Sequence, residues 1–159
     1  YRKSAGGEFQ LCHLGHVLME NRNGLPVAAR VTEAMPDAEW EAALQMLAAV
    51  TKPGATVGAD AGYDYDRFVS AVRELHITPH VAQHTQRPSS LDGRTTQQAG
   101  YHVSLKKRKR VEQIFGWLKT TGLMRKLRHR GSEPVDWIIT FTAASCNLVQ
   151  LRILLERPA

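Results

Sequence analysis

Ala55-Thr56-Val57-Gly58-Ala59 is a short apolar run that leads into Asp60-Ala61-Gly62-Tyr63-Asp64, and the reading of this stretch decides the fold. The run follows the breaker Lys52-Pro53-Gly54 and is too short for a helix, so it predicts a fully buried strand. Downstream, Phe68, Val72 and Leu75 recur at helical spacing between about Asp64 and His76, and Ile77 to Ala82 forms a second short strand. Strand, helix and strand in that order predict a parallel pair with a crossover helix. Asp60 then projects from the carboxyl end of a parallel strand, where open α/β sheets hold their ligands. It can equally cap the following helix or turn, a role open to Asp64 and Asp66 as well.

Upstream, Phe9 to Glu20 predicts a strand, with Leu11, Cys12, Leu14, Val17 and Leu18 in mixed alternation. Asn21-Arg22-Asn23-Gly24 contains the Asn-Gly pair that favours a tight hairpin, and Leu25 to Thr32 returns. Met35-Pro36-Asp37 marks a turn, with Asp37 placed to cap a helix that carries Trp40, Leu44, Leu47 and Val50 on one face. Beyond the parallel pair, His84 to Gly100 is rich in Gln, Thr, Ser, Pro and Gly and reads as a mobile loop. Two helices follow, about Ser104 to Thr120 and about Glu133 to Glu156. The whole chain, 1–159, reads as one α/β unit with a mixed sheet flanked by helices. Pattern alone does not choose between an RNase H-like layer and other small α/β domains.

Composition narrows the function. A chain of 159 residues, 43% hydrophobic and 23% charged, suits one globular core and excludes disordered or collagen-like classes. It opens on Tyr1 with no signal-peptide pattern, as expected of a cut edge. Cys12 and Cys146 lie far apart without a CxxC, which fits a reducing cytoplasm. The most apolar stretch, Val135 to Leu155, is interrupted by Asp136, Asn147, Gln150 and Arg152, so a buried helix is expected there rather than a membrane span.

The charge is concentrated. From Tyr101 to Arg130 ten Lys and Arg face Glu112 alone, a charge of +9, so within a net charge of +6 the rest of the chain carries −3. A field of that kind attracts a polyanion, with salt-dependent binding through counterion release, unless the segment is simply a solvated face. Within it Val111, Ile114, Phe115 and Leu118 form an apolar stripe. At about 100° per residue, Arg108, Glu112 and Lys119 share an edge beside that stripe. They can form an ordinary ion-pair ladder. Alternatively, a strand-end Asp and a helix Glu in a basic field can share Mg²⁺, which prefers oxygen ligands and keeps waters and phosphate oxygens in its shell. Two such ions serve phosphodiester cleavage or strand transfer.

Here the motifs become specific. Gly58-Ala59-Asp60-Ala61-Gly62-Tyr63-Asp64 resembles the second-aspartate motif of DDE transposases from bacterial insertion sequences. Arg108-x3-Glu112-x6-Lys119 resembles their Arg-Glu-Lys signature at the third carboxylate. Gly15-His16-x3-Glu20-Asn21-Arg22-Asn23-Gly24-Leu25, Phe115-Gly116-Trp117-Leu118-Lys119 and Asn147-Leu148 extend the agreement over almost the whole chain. The group it looks most like is the insertion-sequence-five family. The resemblance implies an RNase H-like core that binds Mg²⁺ or Mn²⁺ and cuts and joins DNA at element ends. Asp60 and Glu112 would be its second and third metal ligands. Arg108 and Lys119 would contact DNA or orient Glu112, with Lys106, Lys107, Lys109 and Arg110 holding phosphates. It also implies transposon-end and target DNA as partners, a homo-oligomer by analogy, and a bacterial cytoplasmic, nucleoid-associated location.

The chain departs from the pattern in two places. Leu105 stands where this group often has Tyr, three residues before the signature Arg. The family's first Asp is expected upstream of Tyr1, and none of Glu8, Glu20 or Glu33 takes its place. The expected mixed sheet is therefore incomplete at the N-terminus, with its first strand missing from the middle, and the chain is expected to be inactive alone. The rival reading is a non-catalytic basic module whose Ser104 to Thr120 helix presents Lys and Arg to phosphates.

Other signals are weaker. Cys12, His13 and His16, or His76, His80 and His84, suggest zinc, but i, i+4 spacing across a strand and turn does not align side chains. Trp117, Trp137, Tyr63 and Tyr65 can stack on bases, although packing or surface placement is the expected use.

Overall fold

The computed structural model describes residues 12–122 and 124–156. β1 (His13–Met19) and β2 (Pro26–Glu33) form the expected antiparallel hairpin; Phe9 to Leu11 of the predicted strand lie outside the described residues. Glu20 builds the turn. Its carboxylate accepts the backbone N–H groups of Arg22 and Asn23 at 2.7 Å and of Leu25 at 3.2 Å, while Gly24 takes a φ of +80° that suits glycine. Burial alone would raise the Glu20 pKa, but these backbone bonds outweigh it and the net direction is down.

α1 (Ala38–Val50) buries Ala38, Ala42 and Met46, spaced by four, together with Leu47. Trp40 and Leu44 are partly buried beside them, whereas Val50 of the predicted stripe is exposed. Asp37 occupies the N-cap position without a capping bond, because its backbone is already helical (φ −97°, ψ −2°) instead of extended.

β3 (Thr56–Ala59) and β4 (Thr78–Val81) pair in parallel, with Gly58 opposite His80 and Ala59 opposite Val81. The crossover helix α2 (Asp66–Glu74) covers them with Phe68, Val69 and Val72, and these join Leu47, Ile77, Val81, Leu91 and Tyr101 in the main core. A smaller cluster, Val31, Val135 and Ile139, lies under the last helix.

The described strands form two separate two-stranded sheets instead of one continuous mixed sheet, and the gap falls between the hairpin and the Asp60 strand, where the first strand of the sheet is expected to be missing. The outer edge of β2 is covered by side chains of α6 (Ser132–Leu155) instead of by another strand. Val31 N–H donates to Asp136 Oδ1 at 2.6 Å, Asn147 Nδ2 to the Pro26 carbonyl at 2.8 Å, and the Thr140 hydroxyl to the Ala29 carbonyl at 3.4 Å. Edge groups satisfied in this way leave little for a further strand to pair with.

Three expectations need correction. His84 to Gly100 is not a bare loop: it contains α3 (Gly93–Thr96), capped by Asp92, and buries Leu91 and Thr95. The helix expected over Ser104 to Thr120 is two helices, α4 (Gly100–Lys107) and α5 (Arg110–Thr120). Between them Val111 N–H bonds the Arg108 carbonyl at 3.3 Å and Glu112 N–H the Lys109 carbonyl at 3.1 Å, a tighter winding than an α-helix. Finally, α6 is buried on one face only, through Val135, Ile139, Thr142, Ala143 and Cys146. Trp137, Phe141, Ala144, Leu148, Leu151 and Leu155 recur at alternating steps of four and three on the exposed side. With a mean hydropathy of 1.6 in its most apolar stretch, α6 is long and apolar enough to cross a membrane, yet Asp136, Thr140 and Asn147 commit one face to β2.

Gly122 seats the end of α5 on α6. Its N–H bonds the Trp117 carbonyl at 2.9 Å, and a Cβ there would lie 2.5 Å from Thr142 Cγ2 and 2.8 Å from the Leu118 carbonyl oxygen. Gly122→Val is expected to destabilise the fold by about 1–3 kcal/mol. A urea midpoint equal to that of the parent would show that the two helices do not meet there.

Candidate functional site

Asp60 stands exposed at the carboxyl end of β3, although that strand is not fully buried as expected: Thr56 is exposed and Val57 to Ala59 are part-buried. Its Oδ1 accepts Gly62 N–H at 2.8 Å and caps the single 3-10 turn Ala61–Tyr63. The capping role is therefore real, and it engages one carboxylate oxygen. A Cβ on Gly62 would sit 2.9 Å from that oxygen, so the turn needs glycine for proximity, not for φ.

Tyr63 links this turn to α1. Its hydroxyl donates to Glu39 Oε1 at 2.9 Å, and its ring meets Phe68 edge-on at 4.9 Å. Burial, then the Glu39 carboxylate, then the charge of Asp60 push the Tyr63 phenol far above its ordinary value. His16, buried in β1 and bonded through Nε2 to the Thr32 hydroxyl at 2.8 Å, also feels Glu39. Its pKa is lowered by burial, against the opposing pull of Glu39 and with the help of Arg30. Sequence reasoning passed over Glu39, since an acid in the first turn of a helix reads as an ordinary dipole partner.

Asp64 is the other residue the sequence understated. It is fully buried, and α2 starts after it, with Tyr65 at the N-cap position. Its carboxylate accepts His84 N–H at 2.8 Å and Ser90 N–H at 2.9 Å, which pins the segment after β4 beside the Asp60 turn. That segment carries Arg87, whose guanidinium lies 3.6 Å over the Tyr65 ring.

Arg108 of the signature, at the end of α4, meets the aspartate strand. A Cβ on Gly58, two residues before Asp60, would lie 3.4 Å from Arg108 Cβ and 3.4 Å from the Ser104 carbonyl, with Asn21 Nδ2 at 3.8 Å. Arg110 donates from Nη1 to the Asn21 carbonyl at 3.1 Å and the Arg22 carbonyl at 3.2 Å. The hairpin turn and Arg108, the first residue of the Arg-Glu-Lys motif, therefore meet β3 at Gly58, although they lie far apart in sequence. Arg108 is half-buried, and its Nε has no hydrogen-bond partner among the described residues.

Glu112 is exposed in the first turn of α5, and Lys119 is exposed in the last. No ion pair among the described residues includes Arg108, Glu112 or Lys119, so the ion-pair ladder is not formed. Lys106, Lys107 and Lys109 are exposed, and His102, Leu105, Lys106, Arg108 and Lys109 line an open basic groove. Arg110 is turned toward the hairpin instead. Among the described residues no three His, Cys, Asp or Glu side chains form a metal cluster. His80 bonds the Ser104 hydroxyl at 2.7 Å and Gln98 Oε1 at 3.1 Å, so it serves packing. Of the four aromatics, Tyr63 is committed to Glu39, Tyr65 meets Trp40 at a tilt and lies under Arg87, Trp117 is half-buried and Trp137 stacks on Phe141.

No curated protein and no solved structure matches the chain. A family model described as the transposase DDE domain matches residues 2–148, which takes in both carboxylate motifs and the first two-thirds of α6. On that extent of agreement, the chain belongs to the transposase DDE domain family.

Proposed function

We propose that this chain forms part of an RNase H-like catalytic core, of the insertion-sequence-five type, that cuts and joins DNA at transposon ends with a divalent metal. The observation that carries the reading is the packing of Gly58 against Arg108, which joins the strand ending in Asp60 to the helical segment bearing Glu112. Asp60 and Glu112 are hard oxygen donors suited to Mg²⁺ or Mn²⁺. Both are exposed, and Asp60 has one carboxylate oxygen outside its capping bond. Water and phosphate oxygens would complete the shell of the ion, which when bound supplies Lewis-acid charge at the scissile phosphate.

The protein's own groups do the rest. Arg108, anchored against β3, sets the direction in which the Glu112 helix leaves the sheet. Lys106, Lys107 and Lys109 hold phosphates in the adjoining groove, and Lys119 does so one helix length away. Two carboxylates are one short of the family's three, so the chain by itself is expected to leave supercoiled DNA uncut in Mg²⁺ or Mn²⁺.

The decisive comparison is the double variant Asp60→Asn with Glu112→Gln. Its Mn²⁺ affinity, followed by calorimetry, should fall roughly tenfold or more. Duplex DNA binding should be retained or tightened, because negative charge has been removed. Unchanged metal affinity would instead favour a non-catalytic basic module.

A further inference from the structure

We infer that α5 is a bridge along which one DNA duplex is held at both ends, the far end by a second phosphate-binding groove formed by Lys119, Thr120, Arg125, Lys126 and Arg128. The inference rests on DNA being the partner proposed above, and it adds residues outside the Arg-Glu-Lys motif.

Charge points to this groove first. Between Glu112 and Glu133 the sequence has no acid, while Lys119, Arg125, Lys126, Arg128 and Arg130 supply five cations. All five are exposed, and no ion pair among the described residues includes any of them. Like charges gathered this closely repel one another and lower the stability of the compact state. A polyanion that neutralises them removes that penalty and releases its own counterions.

Geometry supplies the second argument. The basic stretch is anchored at its start. Met124 N–H bonds the Leu118 carbonyl at 3.0 Å, its side chain packs on the Val31, Val135 and Ile139 cluster, and Gly122 fits against Thr142 with no space for a Cβ. At its other end Gly131, with φ +90°, turns the chain into α6. The cations are thus offered from a segment held at both ends.

Spacing supplies the third. α5 has 11 residues, which at 1.5 Å per residue is about 16 Å. Phosphates of one DNA strand recur every 3.4 Å or so along the duplex axis. A duplex laid along α5 therefore meets the Lys106, Arg108 and Lys109 groove at one end and the Arg125, Lys126 and Arg128 groove about five steps further on. Glu112, in the first turn of the helix, lies between the two holds, close to the first. Holding both ends fixes the register of the backbone relative to Glu112, which a single groove would leave free to slide.

The test uses the 159-residue chain and a 20-base-pair duplex of arbitrary sequence, with binding followed by fluorescence anisotropy over a salt series. Arg125→Gln, Lys126→Gln and Arg128→Gln together should lower the slope of log affinity against log salt by about 2.7, that is about 0.9 per phosphate contact. Affinity near 0.1 M salt should fall on the order of 100-fold. The charge-keeping variant Arg125→Lys with Arg128→Lys should retain the parental slope, which separates charge from loop structure. An unchanged slope in the triple Gln variant overturns the second groove. If Lys106→Gln with Lys109→Gln still weakens binding in that case, DNA remains the partner and only this inference fails. No duplex binding by the parent chain would overturn both.

Discussion

Asp64→Ala is expected to destabilise the fold by about 3 kcal/mol or more, since it strips a buried carboxylate from the N–H groups it satisfies. His84 N–H at 2.8 Å and Ser90 N–H at 2.9 Å would lose their acceptor inside the protein. The variant cannot recover those bonds from water without opening the segment that holds Leu91 in the core. Asp64→Asn keeps one acceptor oxygen and sets an NH₂ against an N–H, so it should fall between parent and Ala. Urea denaturation of the three proteins is the measurement; an Ala variant within about 0.5 kcal/mol of the parent would mean these bonds have no net worth.

The same residue gives a pH signature. Burial on its own would raise the Asp64 pKa, but the bonds from His84, Ser89 and Ser90 and the charge of Arg87 outweigh it, so the folded-state value lies below the ordinary 3.8. An acid with a depressed folded pKa contributes stability above its unfolded pKa and loses it as pH falls through the folded one. The stability gap between parent and Ala variant should therefore be full at neutral pH and narrow below about pH 4.

Phe68→Ala is the second large effect, at about 3–5 kcal/mol. The ring is 1% exposed and touches Tyr63 edge-on at 4.9 Å. Its removal opens a cavity beneath the turn that Asp60 caps, so the loss should be local as well as global. Amide exchange at Gly62, whose N–H is held by Asp60, should accelerate more than exchange in β2. Equal acceleration at both places would mean that the Glu39 bond holds the turn without help from the ring. Phe68→Leu, which refills much of the space, should recover most of the stability.

How much of this was legible follows from how local each signal is. The β3, α2 and β4 unit was readable because two apolar runs too short for helices flank a stripe of helical period, and each of these signals is local. Asp60 was readable because it directly follows a strand. Asp64 was not: its partners stand 20 and 26 residues later, and nothing in Asp-Ala-Gly-Tyr-Asp separates an exposed Asp from a buried one. The break after Lys107 was equally hidden, since Lys-Arg-Lys-Arg favours a helix and contains no Gly or Pro. Its cause is tertiary, with Arg108 set against Gly58 and Arg110 drawn to the hairpin carbonyls. The exposed side of α6 is not legible in the sequence, because the helix is apolar nearly all round and gives no contrast by which to tell its inner face.

The bonds between β2 and α6 also set a timetable. Val31 and Asp136 are 105 residues apart, whereas the β1 and β2 hairpin needs only neighbours. During synthesis at roughly 5–20 residues per second, the edge of β2 waits on the order of 5–20 seconds between leaving the ribosome and receiving its cover. Through that interval it is an open template for another strand, of the kind that other nascent copies on the same message display. Yield of soluble protein should therefore respond to translation speed and to chaperone supply more than to the final stability of the folded chain.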